Sequence, residues 1–302
     1  MTTLLRRVAG PRCSSWRCLD AILRESHSRT TNLLSRDGAR TLTGASRPLT
    51  GYSRGYIRGQ HTEAADPVEV DLKRLEGGDD GIVEVLMCRH KARNALGHVF
   101  VSQVNTVSCE FSVQVSADLK ERALMNNTES DLFVHGLRSL MTQIASLPVP
   151  TIAAMDGVAL GGGLELALAC DLRTAAYSAQ MGLIETTRGL LPGAGGVTET
   201  LTCKRVGGQT ALEMGLVNRA VEQNQTGDAA YGEALSLARE ILPQAPIALR
   251  MAKEAMNRGV EVDITSAMAI ERMCYARVIP TRDRQEGMAA FIEKRPPRYT
   301  GE

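Results

Sequence analysis

The sequence contains no apolar run long enough to cross a membrane, because no hydrophobic stretch approaches the eighteen or so residues that a transmembrane helix needs. The sequence also lacks cysteines at the close spacing that is typical of metal sites. The seven cysteines are scattered along the chain without a Cys-x-x-Cys pair, which argues against a zinc site and against a disulfide framework. We therefore interpret them as reduced thiols that mostly fill the core, and we expect neither a membrane span nor a bound metal.

Aromatic residues are few, and there is a single Trp. Hydrophobic residues nevertheless make up 43% of the 302 residues, which is enough to bury a sizeable core. This composition is typical of an ordinary globular protein with one large or two small domains.

Charge is distributed unevenly along the chain. Residues 1–61 contain eleven Arg, no Lys and three acidic residues, so this stretch carries +8 and the remainder carries −7. An N-terminus rich in Arg, Ser and Thr, without an apolar segment of the secretory kind, is typical of a mitochondrial transit peptide. The alternative is a disordered basic arm that binds acidic partners. We expect residues 1–62 to lie outside the fold, and the protein to reside in the mitochondrial matrix.

Four strands are predicted in the remaining chain, at 81–88, 107–115, 151–155 and 172–176. The second of them, VSCEFSVQV, alternates apolar and polar residues, as a strand with one wet face does. The third, TIAAM, is wholly apolar and suits a strand that is buried on both faces.

Helices alternate with these strands, which predicts an α/β fold. The segment 128–147 begins with a Thr-x-x-Asp cap pattern and repeats apolar residues at helical spacing, at Phe133, Leu137, Leu140, Met141 and Ile144. A second, apolar helix is predicted at 164–170. Beyond about residue 226 the pattern is helical throughout.

Three consecutive glycines, 161–163, precede the apolar helix. The first N–H groups of a helix lack intrahelical acceptors, and glycine allows a ligand to approach them closely. Such a helix start suits a phosphate or the oxygen of a polarised carbonyl. It is not a dinucleotide fingerprint, because the sixth position of G-x-G-x-x-G is Leu166, and no Walker lysine follows.

Two glutamates lie in apolar surroundings, Glu165 within GGGLELALACD and Glu185 within MGLIETTRG. Glu165 has a simple structural interpretation, since a carboxylate in the first turn of a helix is stabilised by the helix dipole. A carboxylate buried without a partner is costly, however, and often belongs to a functional site. Two acids that reach one dry pocket can divide the roles of general acid and base.

Several motifs resemble the enoyl-CoA hydratase/isomerase (crotonase) superfamily. The main ones are GVALGGGLELALACDL at 157–172 and MGLIETTRGLLPGAGG at 181–196. The resemblance is supported by ARNAL (92–96), ADLKER (117–122) and EGMAAFIEKRPPRY (286–299). Together these motifs extend from about residue 67 to the C-terminus.

The resemblance implies a crotonase-like spiral of β-β-α units over residues 63–225. A C-terminal helical trimerisation region is implied over 226–302, with assembly into homotrimers or homohexamers. The substrate would be an acyl-CoA thioester, and no separate cofactor is implied, because coenzyme A is part of that substrate. The implied activity is addition of water to a 2-enoyl-CoA, in fatty-acid or branched-chain acyl-CoA metabolism.

The resemblance also implies roles for individual residues. The N–H groups of Gly162 and Ala117 would form the oxyanion hole for the thioester oxygen. Glu165 would activate water and Glu185 would exchange the proton at the α-carbon, and the presence of both acids favours hydration over isomerisation. The residues implied to bind CoA or substrate are Ala117, Asp118, Leu119, Lys120, Phe291 and Lys294.

The chain departs from the family pattern in two places, the segments 94–117 and 197–201. Only 22 residues separate Asn94 from Ala117, too few for the helix, buried strand and loop of the relatives. Ser116 also stands where the family has glycine beside the second oxyanion donor. After Gly196 the chain is short by about one helix. We therefore expect a fold that lacks about two internal elements, and a weakened hydratase.

Two alternatives remain. The chain is a catalytically silent isoform that assembles with intact relatives, or it binds RNA, as one relative does. The second alternative is disfavoured, because no Lys or Arg occurs from 94 to 119 and the body of the chain is acidic.

Overall fold

The computed structural model describes residues 2–7, 70–87, 96–97, 122–193 and 203–302, with the backbone alone for residues 2–7. Two compact units divide the chain, residues 1–10 with 67–302 and residues 11–66. All described residues belong to the first unit.

Two sheets organise this unit. The strands among the described residues are β1 (Thr2–Arg7), β2 (Val70–Arg74), β3 (Ile82–Met87), β4 (Thr151–Met155), β5 (Val158–Leu160), β6 (Leu172–Ala176), β7 (Gln180–Gly182) and β8 (Arg219–Val221). The larger sheet has the order β2-β3-β1-β4-β6-β8, and β5 pairs with β7 in the smaller one. Only the pair β2–β3 is antiparallel among these described strands; every other pair is parallel.

The central strands are buried, as parallel strands covered on both faces must be. All five residues of β4 are buried, and so are five of the six residues of β3. The strands predicted at 81–88, 151–155 and 172–176 are confirmed, each within one residue at either end. The predicted strand 107–115 lies outside the described residues.

Strand β1 lies in the middle of the larger sheet, between β3 and β4. Its backbone is in register with β3 from Thr2 opposite Ile82 to Arg7 opposite Met87, and three of its residues pair with β4. The sequence placed all of 1–62 outside the fold, so these six residues correct that expectation. The physical reason is that the facing edges of β3 and β4 need backbone partners, and a short extended segment supplies them. Residues 8–62 lie outside the described part of the chain.

Helix α1 (Asn127–Ala145) buries the five apolar residues that its sequence pattern selects, Phe133, Leu137, Leu140, Met141 and Ile144. Its start differs from the prediction. The Asn126 side chain accepts a hydrogen bond from the Glu129 N–H at 3.0 Å, and the Asn126 N–H donates to the Glu129 carboxylate at 2.9 Å. This reciprocal capping box begins the helix before the Thr-x-x-Asp pattern at Thr128.

The other helices of the described chain are α2 (Gly162–Leu168), α3 (Gly208–Glu213), α4 (Ala229–Ile241), α5 (Pro246–Gly259), α6 (Ile264–Val278) and α7 (Arg282–Glu293). The predicted helical pattern beyond residue 226 is thus confirmed. Helix α4 covers the larger sheet, because its Ala234 and Leu237 belong to one core cluster with Ile82 and Ile152. Within the described residues, no helix combines the length and apolarity that crossing a bilayer requires.

Candidate active site

The start of helix α2 is shaped by a glycine with a positive φ. Strand β5 ends at Leu160, and Gly161 follows with φ 57° and ψ −129° as the N-cap of the helix. Its N–H donates to the Gly182 carbonyl at 2.9 Å, and its own carbonyl accepts from the N–H groups of Leu164 and Glu165. The N–H groups of the first helical residues, Gly162 among them, lie before the first intrahelical donor. The helix therefore begins at Gly162, two residues before the predicted start at 164, and only Gly161 of the three glycines precedes it.

Glu165 lies in the first turn of α2 and is buried, with 5% of its surface exposed. Its neighbours on the helix, Leu164, Leu166 and Ala167, are buried as well. The side chain is therefore buried close to the N-terminal end of the helix, where the dipole favours negative charge.

Glu185 reaches the same place from another element. It begins a 3₁₀ turn, Glu185–Arg188, that follows strand β7. A Cβ atom built on Gly161 would lie 2.6 Å from Glu185 Oε1, so the carboxylate packs directly against the backbone at the N-cap of α2. Its other oxygen, Oε2, is buried and has no hydrogen-bond partner among the described residues. The structure thus brings Glu165, Glu185 and the start of α2 together.

The two acids influence each other electrostatically. The pKa of Glu185 is raised above its ordinary value, chiefly because burial disfavours the charged form and further because Glu165 is negative nearby. Its own backbone N–H and the charges of Arg188 and Arg122 act in the opposite direction. A raised pKa favours the protonated form of the carboxyl group, which is the form that a general acid needs.

Arg122 and Arg188 are site neighbours that the sequence reasoning missed. The signal available was position alone, since Arg122 ends the motif ADLKER and Arg188 follows Glu185 by one 3₁₀ turn. The guanidinium of Arg122 lies 5.8 Å from the centre of the Phe133 ring, which anchors it on helix α1.

The 3₁₀ turn that carries Glu185 is held by local contacts. The Glu185 carbonyl accepts from the Leu190 N–H at 3.1 Å, and Gly189 closes the turn with φ 67°. Thr186 Oγ1 lies 2.7 Å from the Sγ of Cys203, which links the turn to the chain beyond the glycine-rich loop.

Two further predicted site residues, Phe291 and Lys294, lie away from this place. Phe291 and Lys294 lie at the end of α7, where Phe291 is 85% exposed and Lys294 forms the left-handed C-cap. Phe291 lines an apolar cavity of about 490 Å³ with Met288, Ile292 and Tyr299, and neither Glu165 nor Glu185 is among its lining residues. Ala117, Asp118, Leu119 and Lys120 lie outside the described residues. No group of three His, Cys, Asp or Glu side chains suited to hold a metal occurs in the described ranges.

Comparison with known proteins decides the family. The family model described as enoyl-CoA hydratase/isomerase matches residues 111–302, nearly two thirds of the chain. The chain belongs to this family. The prediction of an enoyl-CoA hydratase-like enzyme is confirmed at this level, and so is the crotonase-like α/β fold.

Individual relatives of the hydratase/isomerase family cover most of the chain. Human mitochondrial enoyl-CoA hydratase domain-containing protein 2 is 56% identical over 268 residues, which cover 79% of this chain and 92% of the relative. Mouse mitochondrial methylglutaconyl-CoA hydratase is 46% identical over 283 residues, covering 83% and 90%. The crystal structure of enoyl-CoA hydratase from Bacillus anthracis superimposes with a TM-score of 0.70 at 34% identity, covering 78% of this chain and all of the bacterial one.

The alignment with the human relative also shows that this chain lacks residues within the matched region. The alignment spans 268 positions, but the 79% of this chain that it covers is only about 239 residues. About thirty positions of the alignment are therefore gaps in this chain. A deficit of that size corresponds to two or three secondary-structure elements.

Proposed function

We propose that this protein adds water across the carbon–carbon double bond of a 2-enoyl-CoA thioester. One observation carries the proposal, namely that the Glu185 carboxylate packs against Gly161 at the N-terminal end of the helix that bears Glu165. The two acids also lie close enough for the charge of Glu165 to raise the pKa of Glu185, which supports a shared role at the start of this helix.

Each group has a role in that reaction. Addition of water at the β-carbon moves negative charge onto the thioester oxygen, and a fixed N–H donor such as that of Gly162 contributes roughly 2.7–4 kcal/mol to stabilising this charge. Glu165 takes a proton from the attacking water. Glu185, whose pKa is raised by burial, delivers a proton to the α-carbon. The proton taken and the proton delivered balance, so that both acids regain their starting state after proton exchange with solvent.

The substrate is proposed to be held at two places. Ala117 supplies the second oxyanion donor, and the backbone from Ala117 to Lys120 lines the CoA pocket. Phe291 and Lys294 contact CoA from the end of α7, and the large exposed area of Phe291 supports this assignment. Coenzyme A is part of the substrate, and the reaction requires no separate cofactor.

The chain is proposed to assemble as a homotrimer or homohexamer in the mitochondrial matrix and to act in fatty-acid or branched-chain acyl-CoA metabolism. The relatives' names support the mitochondrial location. Exposed apolar side chains on α6 and α7, including Met268, Met273, Tyr275, Phe291 and Ile292, support assembly, since apolar surface of this extent marks protein interfaces.

The activity is proposed to be weaker than that of complete relatives. About thirty positions of the relative are missing from this chain, and this deficit supports the proposal. We place one of the gaps in the segment 94–117, which leads to the proposed second oxyanion donor, Ala117. The same observation favours a second candidate, a catalytically silent subunit that assembles with intact relatives.

Steady-state hydration of crotonyl-CoA by the full chain tests the proposal. We expect a slow but measurable rate that falls at least about 100-fold in Glu165→Gln and in Glu185→Gln. A rate typical of relatives contradicts the weakening, whereas an unchanged rate in both variants contradicts the proposed site. Absence of hydration together with co-purification of an intact relative supports the silent subunit, and a salt-dependent shift of an AU-rich oligonucleotide supports RNA binding.

A further inference from the structure

Helix α2 is short, although it carries two groups of the candidate active site. It has seven residues and carries both the Gly162 N–H and Glu165. Helices of this length are not stable on their own, so tertiary contacts must fix the position of α2. Its N-terminal end contacts Glu185. The contacts at its C-terminal end therefore influence the position of Glu165 relative to Glu185.

Arg173 makes those contacts. This residue lies on β6, and its Nη1 donates to the carbonyl of Cys170 at 2.7 Å and, more weakly, to that of Ala167 at 3.5 Å. Its Nε donates to the Leu216 carbonyl at 2.8 Å, on the segment that leads into β8. One guanidinium therefore ties the C-terminal end of α2 to the segment that leads into β8.

The backbone of the same residue is also tied. The Arg173 N–H donates to the side-chain oxygen of Asn218 at 2.8 Å, and the Asn218 N–H donates back to the Arg173 carbonyl at 2.9 Å. The guanidinium itself is partly buried, and this burial lowers its pKa. Because both the backbone and the guanidinium of Arg173 are held by hydrogen bonds, this residue can fix the position of α2 relative to the sheet.

We propose that Arg173 is a positioning residue for the candidate active site. It holds the C-terminal end of α2 and thereby fixes the Gly162 N–H and Glu165 relative to Glu185. The effect on catalysis rests on the proposed function, whereas the effect on α2 does not. Arg173 contacts neither acid in the structure, so its role is exerted through the helix.

Arginine is suited to this role for two reasons. Its planar guanidinium presents several N–H donors in a fixed geometry, so that carbonyls from two segments can be bound at once. Its positive charge also lies where the helix dipole is negative. Lysine would keep the charge but lose the fixed geometry.

The test compares Arg173→Met and Arg173→Lys with a matched control in the full chain. The control is Arg219→Met, because Arg219 also lies on a strand of the larger sheet but binds Glu233 and Glu240 at the surface. In Arg173→Met we expect kcat for crotonyl-CoA to fall by up to about 100-fold with KM changed less than about threefold. Arg173→Lys should recover part of the loss, and the control should keep kcat within about twofold of the parent.

A second readout does not require activity. Hydrogen exchange of a peptide that contains residues 162–168 should become about tenfold faster or more in Arg173→Met. The exchange rate of the same peptide should stay as in the parent in Arg219→Met. If the parent does not hydrate crotonyl-CoA, the proposed function fails while the exchange result still decides the role of Arg173. A folded Arg173→Met chain with unchanged exchange in α2 overturns the inference. Should that variant not fold, Arg173→Lys carries the same comparison, and unchanged exchange there overturns it equally.

Discussion

The carboxylate of Glu185 occupies the space that a side chain at Gly161 would need. A Cβ atom at residue 161 would lie 2.6 Å from Glu185 Oε1, closer than real Cβ contacts come. The same glycine has φ 57°, a conformation that other residues adopt at a cost. One residue without a side chain thus permits both the start of α2 and the approach of the second acid.

Gly161→Ala is therefore expected to lower kcat for crotonyl-CoA by about 100-fold, because the new methyl group displaces the Glu185 carboxylate. The matched control is Gly215→Ala, since Gly215 also has a positive φ of 74° but has open space where a Cβ would lie. Both variants should lose about 1–3 kcal/mol of unfolding free energy from backbone strain, measured by urea denaturation. Equal kcat in the two variants would contradict the importance of the contact.

The raised pKa of Glu185 predicts a specific dependence of stability on pH. Because the folded-state pKa lies above the unfolded value, the folded protein holds this proton more tightly. The resulting stabilisation is fully present below the unfolded pKa and is lost as pH rises through the raised folded pKa. Glu185→Gln should therefore flatten the fall of unfolding free energy with rising pH in this window.

Urea denaturation at a series of pH values measures that slope. The control is Glu213→Gln, an exposed carboxylate on α3 that hydrogen-bonds Gln209. It should leave the slope as it is in the parent. A parent curve that rises through the window, or one that Glu185→Gln does not flatten, would be inconsistent with the raised pKa.

A buried ion pair beyond α2 provides a prediction on stability. Lys253 Nζ on α5 donates to the Asp171 carboxylate at 2.8 Å and to the Val149 carbonyl at 3.0 Å, and its side chain is 7% exposed. Asp171 also accepts from the N–H and hydroxyl of Thr151. Lys253→Met should lower the unfolding free energy by about 3–5 kcal/mol, since it leaves a carboxylate without its cation.

The double variant Lys253→Met with Asp171→Asn should be less destabilised than Lys253→Met, because the unpaired charge is removed. Arg239→Met is the control, since Arg239 pairs with Asp79 at the surface. Its effect in the same denaturation experiment should be much smaller. An equal loss in Lys253→Met and Arg239→Met would show that burial of the pair has no energetic consequence.

Much of the site could be predicted from sequence, because its elements are local. The glycine run, the apolar helix and the TIAAM strand each depend on residues close together in the chain. The structure has the strand at the predicted position and the helix two residues earlier than predicted, at Gly162–Leu168. The cap of α1 was misplaced by two residues, because Asn126 and Thr128 are both acceptable caps and only the observed hydrogen bonds distinguish them.

Contacts distant in sequence could not be predicted in this way. The contact of Glu185 with Gly161 depends on the pairing of β5 with β7, and the link from Arg173 to Leu216 spans 43 residues. Neither leaves a periodic pattern in the sequence. The placement of Thr2–Arg7 in the sheet was missed for another reason, since the composition of the surrounding segment is typical of a transit peptide and six residues contribute little to it.

Strand β1 makes the N-terminus part of the stability of the fold. It pairs with β3 over six residues and with β4 over three, so that its removal leaves two facing edges without partners in the middle of the sheet. Each buried backbone group left unpaired costs about 1–3 kcal/mol. Deletion of residues 2–7 should therefore lower the unfolding free energy by several kcal/mol, measured by urea denaturation of the full chain and of the deletion variant.

The control is deletion of residues 40–45, six residues in the segment expected to lie outside the fold, which should leave the denaturation midpoint unchanged. The same loss is expected for residues 63–302, the chain that remains after removal of the predicted transit peptide, because it also lacks β1. A midpoint unaffected by the loss of residues 2–7 would mean that the sheet does not depend on this strand.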